Sequence, residues 1–541
     1  MVSLIHRLES ALAGISSVRV RWALIIVLIA VLAVKIFSAE DQTRLVGSSY
    51  DTLTRSRVLA PTVDPALLIV DIDEASLAKM SKDYGRWPWP RDTLASVLDF
   101  LERNGAQAVV FDILFADKDV LNPMSDAAFA EMVKQSQRSY FPVLRLESRL
   151  DQISEVRADM LPGFAVKIGN PGVQDRATEM TPTMAVIPPV FSTIAQSGRL
   201  GFHNIYPDAD GVNRQYRLWE DIGSGWRLLS LPARLALDFG WSMPSQANQI
   251  LAFPLEAAAY PSVSFYDLWQ ASQAREAGNL SEQVKGKIII IGSTAPNLFD
   301  IKVTPLSPIH PGVHVLAGAI DNVKNDNFLK LLGKGWQLLI GVLLLFGMAH
   351  ASSKLPLSVL RWGILVAPTV LIGLSYVSLN VGSVFVDLTA VASQAFVFFT
   401  ATTAYASWRV GYFSSLSVSK KRPQICHVLA IDSGPVNITV NQLIDAGCAA
   451  WGKNFCMVQS GFTSGVSVGA SGPFCVFVLG SGELGEAEVR RSLGIDTENK
   501  LKIFTSKTDD LFTDEKLTSK VIEPLAWRFL STAIVTWNEE K

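Results

Sequence analysis

The sequence predicts an α/β protein in three parts. These are an extracytoplasmic α/β domain with a mostly parallel sheet, four transmembrane helices, and a small cytoplasmic α/β domain. Three observations predict it. Continuous apolar runs alternate with helical patterns across residues 40–334. Four long, nearly uncharged apolar segments flank that region. Strand and helix patterns then alternate again over residues 423–541.

Composition agrees with the division. A chain of 541 residues has room for two or three domains. Its 49% hydrophobic content and mean hydropathy of +0.27 exceed what a soluble chain needs. The net charge of −2 supplies no basic field, so nucleic acid is not an expected partner. All four cysteines, Cys426, Cys448, Cys456 and Cys475, follow residue 420. Free thiols suit a reducing compartment, and a cysteine-free front suits an oxidising one.

The first apolar segment runs from Trp22 to Phe37, with Arg19, Arg21 and Lys35 placed to snorkel. It is expected to stay as an uncleaved anchor. A cleavage site after Ala39 would place Phe37 where a small residue is wanted. Three more segments follow: Trp336 to Ala351, Trp362 to Leu379, and Ser383 to Trp408. Basic residues precede the first, separate the second from the third (Lys354, Arg361), and follow the fourth (Arg409, Lys420, Lys421, Arg422). The link 380–382 carries no charge. The positive-inside rule then puts both termini in the cytoplasm of a multi-pass inner-membrane protein and residues 40–334 outside, in the periplasm. The expected divisions are 1–21, 22–39, 40–334, 335–411, a basic linker 412–422, and 423–541.

In the outer region, PALLIVDIDE (65–74) reads as a strand buried on both faces and ending in carboxylates. A polar loop and the run Arg86-Trp87-Pro88-Trp89-Pro90-Arg91 follow. Asp92 is placed to cap the helix DTLASVLDFLERNG, which Gly105 closes. The strand AQAVVFDILF completes a strand–helix–strand unit. Later, VKGKIIIIGSTA is a third buried strand, and PGVHVLAGAIDNVK is a helix with Pro311 suited to its first turn.

These runs resemble the CHASE2 domain, an extracytoplasmic sensor module of bacterial transmembrane receptors. The resemblance rests on YDTLTRSRVLAP (50–61), IVDIDEASL (69–77), GRWPWPRDTLASVLDFLERNGAQAVVFDILFAD (85–117), GFHNIYPDADGVNRQYRL (201–218) and residues 286–323. It implies one membrane helix before the domain, three after it, and a sensing role. The family's histidine in the last helix falls at Leu316 here, with His314 two residues earlier.

Ligands of open α/β sheets sit beyond the carboxyl ends of the strands. That rule singles out Asp71, Asp73, Glu74 and Asp112. Trp87 and Arg91 are candidates for a wall and an anion contact, and Asp210, Arg214 and His314 complete the set. The alternatives are structural: a turn at Asp208–Gly211, rigid packing for the Trp-Pro repeat, and capping or internal pairing for the carboxylates. No Cys/His spacing suggests a metal, and no cofactor is identified.

In the tail, strands are expected at 425–432, 454–460, 474–479 and 500–506. Rossmann-like phosphate chemistry would use Asp432, Ser433, Gly434, Gly480, Gly482 and Glu483 at strand ends, or these are ordinary turns. No nucleotide cyclase, histidine kinase, diguanylate cyclase or Ser/Thr kinase signature occurs. Enzyme status therefore stays open. The readings are a membrane sensor with a non-standard output or docking domain, or an enzyme or membrane effector whose tail processes or binds a nucleotide. Expected partners are membrane lipid, an unidentified extracytoplasmic ligand, a cytoplasmic protein or nucleotide, and a second copy in a homodimer.

Overall fold

The computed structural model describes residue 9 and residues 11–37, 42–168, 181–223, 225–274, 278–353, 355, 357–382 and 384–415. In the tail it describes 425–431, 444–445, 448, 455–459, 475–479 and 501–507. The chain divides into two compact units. One is Ala39–Leu332 with Ser375–Asp387, and the other holds the remaining segments.

The first unit is built on seven strands: β1 (Leu67–Asp71), β2 (Ala108–Phe111), β3 (Ser139–Arg145), β4 (Val186–Ile187), β5 (Leu200–Phe202), β6 (Ser262–Ser264) and β7 (Ile288–Gly292). They lie in the order β6-β1-β7-β2-β3-β4, with β5 also on β3. Every pairing is parallel except β3 with β4. The mixed, mainly parallel sheet follows from the sequence. All residues of β1, β2 and β7 are buried, as strands covered on both faces require. Alternate residues divide between two cores. Val70, Val109, Phe111 and Ile291 face one, while Ile69, Val110 and Ile290 face the other. In the first, Phe111 stacks on Phe141 at 5.0 Å between ring centroids, and Phe115 on Phe129 at 4.9 Å. Each such pair adds about 0.5–1.5 kcal/mol beyond area burial.

Among the described residues, seven helices of eight or more residues belong to this unit: α1 (Gln42–Arg55), α2 (Glu74–Tyr84), α3 (Asp92–Arg103), α4 (Pro123–Gln135), α5 (Leu231–Phe239), α6 (Phe265–Gln273) and α7 (Gly312–Lys324). Two expectations need correction. The stretch after Glu74, expected as a polar loop, is α2. Asp73 caps it by accepting from the Ser76 amide at 2.7 Å, and buried Met80 and Ser76 mark its inner face. Asp92 is not a cap. It is the first residue of α3, and its carboxylate accepts from Ser125 Oγ at 2.9 Å. Gly105 closes α3 at φ +80°, as expected of glycine. Pro311 immediately precedes α7.

Residues 375–387 belong to this unit through a small core of their own. Tyr50, Leu53, Leu329, Leu379 and Phe385 pack together, and Lys330–Leu331 pairs with Val384–Phe385.

The second unit contains the apolar helices. Among the described residues, three helices are long and apolar enough to cross a membrane: Ser17–Phe37, Lys334–Ser352 and Val359–Val381, the last extending past Leu374. Four were expected. The fourth segment forms a 27-residue helix, Thr389–Ser415, which is less apolar than these three. Its Thr, Ser, Gln and Tyr residues and Arg409 dilute the apolar run. Arg409 is buried and donates to Asp445 at 2.5 Å and to the Ala13 carbonyl at 2.9 Å.

In the tail, the expected strands appear at Ile425–Ile431, Phe455–Gln459, Cys475–Leu479 and Leu501–Lys507. Their pairings are all antiparallel. A Rossmann-like site needs parallel neighbours, so these pairings do not supply one. Alternating strand and helix patterns leave strand direction open, which is why the sequence suggested otherwise. Asp432, Ser433, Gly434, Gly480, Gly482 and Glu483 lie outside the described residues.

Candidate functional site

The register aligns Asp71 with Gly292 and Ile291 with Phe111, so β1, β7 and β2 end together. Beyond these ends lies a cleft of about 1150 Å³. Its walls come from the Arg86–Arg91 run, the loop after β2, and the segment around Asp300.

Trp89 is buried and stacks on Phe265, with 5.3 Å between centroids. Trp87 meets Trp89 edge-on at 4.9 Å and, half-buried, lines the cleft. The Trp-Pro repeat therefore anchors one indole and leaves the other on the wall. Arg91 also lines the cleft, but its guanidinium is engaged. It bonds Asp126 at 2.5 Å and the Asp117 carbonyl at 2.5 Å. Asp126 accepts in turn from the Asp119 amide at 2.8 Å, so Arg91 organises the cleft loop.

The polar floor gathers residues distant in sequence. His203 Nδ1 lies 3.0 Å from Asp112 Oδ1. Lys302 Nζ lies 2.9 Å from Asp300 Oδ1. Burial pushes the Asp300 carboxyl up, and the charge of Asp112 adds to that, while Lys302 and His203 oppose it. Gly312, the first residue of α7, makes room for this carboxylate. A Cβ there would lie 1.9 Å from Asp300 Oδ2. The floor thus places carboxylates, an imidazole and an ammonium beside apolar walls of Ile72, Leu298 and Leu316. Such a surface has the polar and apolar groups needed to hold and orient a small amphipathic molecule.

Three of the nine outer candidates, Trp87, Arg91 and Asp112, line the cleft. The other six lie elsewhere. Asp71 accepts from the Thr294 amide at 2.8 Å and its hydroxyl at 2.6 Å, while burial pushes its carboxyl up. Asp73 caps α2, and Glu74 accepts from Asn297 at 3.0 Å. Asp210 and Arg214 join an ion cluster around α1. His314 is buried in α7, where burial lowers its imidazole to about 4. His203, Asp300, Lys302 and Gly312 escaped the sequence reading. His203 and Asp300 lie inside the motifs GFHNIYPDADG and 286–323, but nothing in their local spacing ties them to Asp112. Among the described residues, no group of three or more His, Cys, Asp or Glu side chains is arranged to hold a metal ion.

The profile of the CHASE2 domain family matches residues 23–350, more than half of the chain. The chain belongs to the CHASE2 family. No curated protein and no solved structure matches it. The CHASE2 match begins within the helix Ser17–Phe37 and ends within Lys334–Ser352, so the family region includes both apolar flanks. Family and helices together fit a membrane-associated sensing or signalling protein.

Proposed function

We propose that this protein is a multi-pass membrane receptor whose CHASE2 domain lies outside the cytoplasm and binds a small molecule in the cleft at the ends of β1, β7 and β2. The single observation that carries the reading is the convergence of Trp87, Asp112, His203, Asp300 and Lys302 on one cavity. Thr389–Ser415 acts as the fourth span, since 27 residues exceed the roughly 20 a bilayer needs. Both termini are cytoplasmic, and the tail serves as an output or docking domain. Two observations support this orientation. Basic residues flank the expected cytoplasmic ends. The uncharged link after Leu379 packs with the outer unit, consistent with one shared side of the membrane.

The test is a small-molecule library screened by thermal shift on the full chain in detergent. Hits are expected to raise the melting temperature of the native chain. The shift should disappear in Trp87→Ala and in His203→Ala. Hits that stabilise all three proteins equally would refute the cleft as the binding site.

A further inference from the structure

Arg214 lies in the PDADGVNR motif, after the turn in which the Gly211 amide donates to the Asp208 carbonyl at 2.8 Å. It is buried, yet it makes a full set of charged contacts. Nε and Nη2 donate to the two oxygens of Asp51 at 2.8 and 2.7 Å. Nη1 donates to Asp208 at 2.8 Å and to Asp210 at 2.9 Å, and Nη2 donates to Asp210 at 2.7 Å. All five N–H groups of the guanidinium are therefore used. Asp208 and Asp210 belong to the same turn as Arg214. Asp51 belongs to α1, 163 residues away.

Helix α1 is tied at other points as well. Tyr50 Oη donates to the Leu251 carbonyl at 3.2 Å, and Arg55 Nε to the Pro305 carbonyl at 3.0 Å. Just beyond the helix, the Val58 and Leu59 amides donate to Asn380 Oδ1 at 3.1 and 3.0 Å, and Tyr376 Oη donates to the Ser56 carbonyl at 2.7 Å. The chain after α1 thus holds the segment 375–387 while α1 itself is held by Arg214.

We propose that Arg214 is a positioning residue that locks α1 to the outer domain through Asp51, so that the turn 208–214 and the segment 375–387 are mechanically coupled through α1 and the strand of chain that follows it. The choice of an ion pair is informative. Apolar residues of similar volume commonly stabilise as well as a buried ion pair does. What the bidentate pair adds is one defined geometry, with either the lock made or the lock broken. In the chain, α1 follows the apolar helix Ser17–Phe37, and the segment 375–387 begins within Val359–Val381. The lock stands apart from the cleft and does not depend on what the cleft binds.

The test is amide hydrogen exchange on the full chain in detergent, comparing the native protein with Asp51→Asn and Arg214→Gln. Asp51→Asn leaves Arg214 paired with Asp208 and Asp210. It is expected to speed exchange at least tenfold in α1, at Val58 and Leu59, and in residues 376–381. Protection in β1 and β7 should be unchanged. A purely local structural role would predict faster exchange in the turn 208–214 alone, and that result would overturn the coupling. Unaltered exchange in α1 would overturn it too. If Arg214→Gln loosens β1 and β7 equally, it reports domain unfolding, and the Asp51→Asn comparison alone decides.

Discussion

His203 Nδ1 lies 3.0 Å from Asp112 Oδ1, joining two residues 91 positions apart on the floor of the cleft. Asp112 extends β2, and its own amide donates to the Ile291 carbonyl at 2.8 Å, so the sheet fixes the carboxylate. Removing Asp112 strands a half-buried imidazole. Asp112→Ala is expected to lower the stability of the unit built on the parallel sheet by about 1–3 kcal/mol, the usual cost of an abandoned polar partner. Denaturant titration of the full chain measures it, and an unchanged midpoint would contradict the pairing.

Gly312 and Asp300 give a sharper test. A methyl group at position 312 would collide with the Asp300 carboxylate. Gly312→Ala should cost about 1–3 kcal/mol, as overpacking does. Asp300→Ala in the same background removes the obstacle. A double-mutant cycle should show that the two losses are less than additive.

His310 and His314 predict acid sensitivity. Burial lowers both imidazoles from 6.5 to about 4, and for His310 the neighbouring His314 adds to the effect. The unfolded chain takes up protons near pH 6.5, while the folded domain resists them until near 4. Folding stability is therefore full above pH 6.5 and declines as pH falls toward 4. Urea midpoints measured at falling pH should show this decline. His314→Leu should flatten it, whatever its effect at neutral pH.

Arg409 predicts a dependence of the membrane unit on the tail. Asp445 accepts from Arg409 and also from the Ser17 amide at 3.2 Å and the Ser17 hydroxyl at 2.8 Å. Asp445→Ala leaves a buried guanidinium without its carboxylate. The expected loss is about 2–4 kcal/mol, at or below the range for a fully buried pair because Asp445 retains some exposure. Thermal unfolding in detergent reads it out.

Topology is tested by labelling. Phe299 and Val381 are both exposed. Phe299→Cys and Val381→Cys should react with a membrane-impermeant maleimide added to intact cells. Protection of either until lysis would refute the outside placement of its segment.

Parts of this protein are legible locally. The isoleucine run of β7 and the apolar run of β1 identify strands buried on both faces without reference to anything distant. Gly105 announces the end of α3 because a left-handed residue is needed there. Other parts are illegible because competing local readings are equally good. The stretch after Glu74 looks polar enough for a loop, yet the Asp73 cap and the buried face at Met80 make it a helix. Asp71, Asp73 and Glu74 are the right residue types at a strand end, but they are satisfied by Thr294, Ser76 and Asn297 instead of lining the cleft.

By itself, the sequence determined the strands β1, β2 and β7, the three apolar helices and the CHASE2 resemblance, because hydrophobic period and run length act over neighbouring residues. The tertiary structure decided which polar residues meet. Asp112 finds His203, Asp300 rests against Gly312, and Asp51 takes Arg214 only once the folded chain brings separate segments to one place. Strand direction in the tail was decided at the same level. Pairing depends on where a connection returns the chain, and no local pattern encodes that.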